Sequence, residues 1–165
     1  MIDDVDPFIG TGVTDLGVPD GLAATWWWPK PPVGNTHPGA THPLGMVSAC
    51  AYSGAYPTGY GIHDLGTEGV PPPLHDRLRA SGFTHFQQSG TGAIRKYYNY
   101  YRVTPMLGPL DELGTLWDLD HEVAHPGYYA ADLAADATDP QRSIHCELTV
   151  GPKSAVHRYT FPAHD

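Results

Sequence analysis

A chain of 165 residues with 18 acidic and 9 basic side chains carries a net charge of −9 with histidine neutral, and it is 41% hydrophobic and only 16% charged. That is enough apolar material for one buried core and too little charge for a disordered chain. The basic residues are scattered, with Arg95-Lys96 the only adjacent pair, so neither nucleic acid nor an anionic membrane reads as a partner, and no apolar run approaches the roughly 20 residues of a membrane span.

The chain opens with "MIDDVDPFIG", which is acidic and has no apolar signal core, so it does not read as a secretory leader. With 19 Gly and 17 Pro, many short elements joined by turns are expected. Trp26 to Gly45 is interrupted by five prolines, which excludes both a helix and a central strand. Three consecutive tryptophans, Trp26, Trp27 and Trp28, begin it; they suit either a sugar-stacking platform or core packing under a long loop.

The same stretch holds a doubled tripeptide, Thr36-His37-Pro38 and Thr41-His42-Pro43. Proline after each histidine rules out helical i, i+4 ligation. A loop metal site would need a third ligand and supporting groups, with His63 and Asp64 the nearest candidates in sequence. Met46 to Tyr52 is a short apolar run bounded by glycine and serine and reads as a buried strand. Gly66 to Asp76 reads as a loop.

"QSGTGA", Gln88 to Ala93, is a small-residue loop that lacks the lysine of a phosphate-binding loop; it suits close approach to a ligand or an ordinary turn. Arg95 to Leu107 is tyrosine-rich and reads as a strand or two. "HEVAH", His121 to His125, matches the zinc-protease pattern. That chemistry needs both histidines on one face of a helix with the glutamate activating a zinc-bound water, and Pro126 directly after His125 opposes it. The segment is expected to be a loop leading into the next strand.

The last third alternates with period two. Tyr129, Ala131 and Leu133 share one face; so do Ile144, Cys146, Leu148 and Val150, and then Ala155, His157, Tyr159 and Phe161. These are half-buried antiparallel strands, joined at hairpin lengths by "ADATDPQR" and "GPK". The fold class is all-β, an antiparallel β-sandwich with long Gly/Pro-rich loops in a single domain over 1–165. The chain ends shortly after Phe161 on a strand end, and the expectation is a domain cut from something larger, with the sandwich itself incomplete. Cys50 and Cys146 sit in contexts that suit buried free thiols, while spacing alone leaves their pairing open. No signature of a serine or cysteine nucleophile is present.

Five motifs in order resemble the N-terminal domain of glycoside hydrolase family 92, the calcium-dependent exo-α-mannosidases. They are "VDPFIGT" (Val5 to Thr11), "PGATHPLGM" (Pro38 to Met46), "GFTHFQQSGTG" (Gly82 to Gly92), "HEVAHPGYY" (His121 to Tyr129) and "HRYTFP" (His157 to Pro162). The resemblance implies a β-sandwich packed on a C-terminal (α/α)6 barrel that carries the general acid, the general base and most of the calcium site. It implies inverting hydrolysis of a terminal α-mannoside, for which two carboxyl groups stand about 6.5–9.5 Å apart.

On that reading this chain supplies no catalytic residue and no metal ligand and is inactive alone. The residues expected to face an α-mannoside or related glycan are His37, Gly39, Ser89, Gly90, Thr91, Gly92, His121 and Glu122, with Trp28 as a stacking ring. Family members are often secreted or periplasmic. The chain departs from the pattern in the insertion through "WWWPKPP", in Phe86-Gln87-Gln88-Ser89, and in His42, where an apolar residue is usual. Two other readings stand beside it: a self-contained zinc hydrolase using His121, Glu122 and His125, and a non-catalytic structural or interaction module.

Overall fold

The computed structural model describes residues 4–13, 34, 36–55, 58–63, 74–87, 101–107, 114–134 and 142–163. Nine strands lie among them: β1 (Ala40–Thr41), β2 (Ser48–Ala51), β3 (Arg79–Ala80), β4 (Phe83–Thr84), β5 (Arg102–Val103), β6 (Trp117–His125), β7 (Tyr128–Leu133), β8 (Ile144–Val150) and β9 (Ala155–Thr160). They form two antiparallel sheets, ordered β1-β2-β4-β5 and β3-β6-β7-β8-β9. The all-β sandwich read from the sequence is the fold.

The alternation in the last third has the expected consequence. Tyr129, Ala131, Leu133, Ile144, Cys146 and Leu148 are buried, and their neighbours His145, Thr149, Val156 and Arg158 face solvent. From the other sheet, Ala40, Ala49, Cys50, Ala51 and Phe83 close over them as one core. Each large apolar side chain buried here contributes about 1.5–3 kcal/mol. Small residues in β1 and β2 matter as much as large ones in β7 and β8, because they let the backbones of the first sheet settle against the larger side chains of the second. Cys50 and Cys146 are both buried free thiols.

The segment from His121 to His125 is the main correction. It is not a loop: it is the second half of the nine-residue strand β6, paired with β7 through Pro126-Gly127. Pro126 presets one turn position and Gly127, at φ 81°, takes the next, which favours glycine. Of the tyrosine-rich segment, Arg102–Val103 pairs as a strand, and residues 95–100 lie outside the described residues. The Trp26–Trp28 platform and the Ser89–Gly92 loop lie outside the described residues.

Where β4 leaves the sheet, His85 meets β9. Its ring lies edge-on to that of His157 with centroids 4.5 Å apart, and His157 Nδ1 is 2.7 Å from the Tyr159 hydroxyl. Burial and the neighbouring His85 hold the His157 imidazole down at about 4.

Candidate functional site

The loop before β1 is organised by His37. Its ring is buried, and Nδ1 accepts a hydrogen bond from the Gly39 backbone N–H at 3.1 Å. An acceptor at Nδ1 places the proton on Nε2, which lies 3.3 Å from Ser48 Oγ; Ser48 is in turn 2.9 Å from Thr41 Oγ1. Burial keeps the imidazole neutral, lowering its pKa to about 4. The side chain therefore locks the Pro38-Gly39-Ala40 turn onto β2.

Gly39 is required there. A Cβ would come within 2.5 Å of both the Ala49 carbonyl oxygen and Cys50 Cβ. His42 has a different role. Its Nδ1 lies 2.8 Å from the Pro43 carbonyl, and the Gly45 N–H closes a turn onto the His42 carbonyl at 2.8 Å. Leu44 occupies the left-handed position of that turn at φ 58° and is fully exposed.

Glu122 enters the interior because β6 carries a β-bulge. Asp120 pairs with Asp132 and Val123 with Ala130, so one extra residue lies between them on β6. That residue is His121, at φ 53°. In a regular ladder His121 would face inward opposite Ala131. The bulge gives that slot to Glu122 and turns His121 outward.

Inside, Glu122 Oε1 accepts hydrogen bonds from the Tyr129 hydroxyl at 2.6 Å and the Tyr60 hydroxyl at 2.9 Å, and Oε2 lies 3.2 Å from Tyr60. No cation joins them among the described residues. Burial raises the Glu122 carboxyl above its usual range, and the two hydroxyls oppose that rise. The same enclosure, with the Glu122 charge beside it, pushes the Tyr60, Tyr129 and Cys50 protons to be held more tightly.

The opposite face of the same strands is a charged ladder. Asp132 bridges His121 Nδ1 at 3.0 Å and His145 Nδ1 at 2.6 Å. Glu147 accepts from Arg158 Nη2 at 2.6 Å and from the Tyr128 hydroxyl at 2.9 Å, and these donors hold its carboxyl below the usual range.

The structure thus divides the sequence candidates. His37, Gly39 and Glu122 border the interior around Cys50. His121, though next to Glu122, lies on the outer face, and Trp28 and Ser89 to Gly92 lie outside the described residues. Tyr60 and Tyr129, the partners of Glu122, carry no sequence signal as such; only the pairing of β6 with β7 brings Tyr129 to the carboxylate. The helical zinc-protease arrangement is absent, because His121, Glu122 and His125 share a strand. Calcium prefers six to eight oxygen ligands, and among the described residues no group of three or more His, Cys, Asp or Glu side chains is gathered to hold a metal.

No significant match is found among curated proteins or among solved structures. The family model described as the glycosyl hydrolase family 92 N-terminal domain matches residues 4–165. With that match across nearly the whole chain, on a two-sheet antiparallel fold, the protein belongs to glycosyl hydrolase family 92, as its N-terminal domain.

Proposed function

We propose that this domain helps to form the sugar pocket of an α-mannosidase-like glycosidase whose general acid, general base and calcium reside on a C-terminal (α/α)6 domain. The observation that carries the reading is the family match over residues 4–165. The domain's own contribution is positional. His37 and Gly39 fix the loop before β1, and the bulge in β6 fixes the strand that leads from His121 into the Pro126-Gly127 turn. Loops held this way offer backbone and hydroxyl groups to a sugar without rearranging on binding, which reduces the ordering cost of association.

Glu122 is a holding group on this reading and not an acid or base for hydrolysis, since both its oxygens are already engaged by tyrosine hydroxyls. The test compares this chain alone with the same chain joined to a family 92 C-terminal domain, using an aryl α-mannoside. The joined protein is expected to release the aryl group and the isolated chain to give none. Turnover by the isolated chain, or none by the joined protein, would overturn the proposal. Gly39→Ala in the joined protein is expected to lower kcat/KM about tenfold or more by displacing the loop.

A further inference from the structure

Away from these loops, the start of β3 borders a small open cleft lined by Ser53, Gly61, His63, His75, Arg77, Arg79 and Leu116. Two of the nine basic residues of a chain with net charge −9 meet here. Its two walls are tied together: His63 bridges Leu74, and the His75 N–H donates to the Ile62 carbonyl at 2.6 Å.

Arg79 is half-buried, and its Nη2 donates to His75 Nε2 at 3.0 Å. An arginine is always a donor, so this Nε2 is an unprotonated acceptor and brings no negative charge. Among the described residues no carboxylate lies within ion-pair distance of Arg79. Asp118, its register partner across β6, is instead 3.8 Å from Arg77 Nη1, as is Asp120. Ser53 commits its hydroxyl proton to the Gly59 carbonyl, and Arg77 and Arg79 are the guanidinium donors of the lining.

We propose that this cleft is a binding site for a small oxyanion, a sulfate, phosphate or carboxylate group, taken on the fork of Arg79 with Arg77 beside it. Among the described residues the half-buried Arg79 guanidinium has a ring nitrogen and no carboxylate as its side-chain acceptor, and a planar oxyanion edge matches its paired N–H groups. Arg77, already near two carboxylates, is the weaker contributor. The oxyanion can arrive free or as a substituent on a sugar. Because the site is read from Arg79 and its surroundings alone, it stands apart from the mannoside reading.

The experiment is a chemical-shift titration of the 15N-labelled chain at pH 7 with sodium sulfate and sodium phosphate, ionic strength being held constant with sodium chloride. Saturable shifts are expected at residues around Gly61 and Arg79. Arg79→Gln should weaken binding about tenfold or more, Arg79→Lys by less because the charge remains without the fork, and Arg77→Gln about threefold. Arg158→Gln, which removes an equal charge on the outward face of β9, should leave affinity unchanged. If Arg79→Gln does not fold, Arg79→Lys and Arg77→Gln carry the comparison. Absence of saturable binding by either anion, or equal weakening by the Arg79 and Arg158 variants, would overturn the site. Glucuronate binding tighter than acetate, with glucose inert, assigns the anion to a sugar; equal affinity of the two assigns it to a free ion, and both results uphold the site.

Discussion

His121 and Glu122 are neighbours in one motif and live in different media. Glu122 is a largely enclosed carboxylate with two tyrosine hydroxyls and, among the described residues, no cationic partner; His121 stands in water beside Asp132. A single inserted residue in β6 makes the difference. The contrast shows that a short polar motif has no chemistry of its own until the pleat assigns each side chain to a face.

The inner side should be the more sensitive. Glu122→Ala leaves two buried hydroxyls without their acceptor and opens a cavity, so a loss of about 4 kcal/mol is expected in urea unfolding. Glu122→Gln keeps an acceptor and removes the partly enclosed charge, and should cost about 1 kcal/mol or less at pH 7. If the two variants proved equally damaging, the charge itself would be what the site requires.

Acid should separate the regions next. His37 and His157 are held to about 4, below the ordinary histidine value near 6.5, by burial in each case. Their unfolded forms therefore take up protons first. The contribution of these two histidines is full above about pH 6.5, falls as the pH drops towards 4, and levels off below; the enclosed His37 alone accounts for about 3 kcal/mol of that loss. Glu122 has the opposite sign, since its raised carboxyl favours the folded state as the pH falls, and it offsets part of the decline. Urea midpoints measured from pH 8 to pH 4 check this. A flat profile for the wild type would contradict the buried, neutral state of His37.

The outer face should yield the smallest effects. His121→Gly relieves a positive φ and gives up one exposed contact to Asp132, so the net change is expected within about 1 kcal/mol. Arg158→Ala removes a surface ion pair with Glu147 and should leave the unfolding midpoint unmoved. A large loss from His121→Gly would mean that the His121–Asp132–His145 ladder holds the sheet together.

Much of the fold was legible because one side of each late strand is buried. Ile144, Cys146, Leu148 and Val150 announce their face through spacing alone, and the turn residues Gly151 and Pro152 mark where the chain reverses. β6 was not legible for a matching reason. Its bulge at His121 breaks the alternation where the period would be read, and Pro126-Gly127 resembles the end of a loop as much as the turn of a hairpin. The candidate site was legible in part: the motifs nominated His37, Gly39 and Glu122, while Tyr60, distant in sequence from Glu122, gave no sign of meeting it.

By itself, then, the sequence determined the all-β class, the faces of β7, β8 and β9, and the family, because period-two burial and ordered motifs are local properties of the chain. Only the tertiary structure decided that His37 is a neutral internal tie, that Glu122 turns inward to two tyrosines while His121 turns out, and that Arg79 lies in a cleft without a carboxylate partner among the described residues. Those outcomes depend on which strands pair and in what register. A one-residue shift in register exchanges the faces of every side chain beyond it.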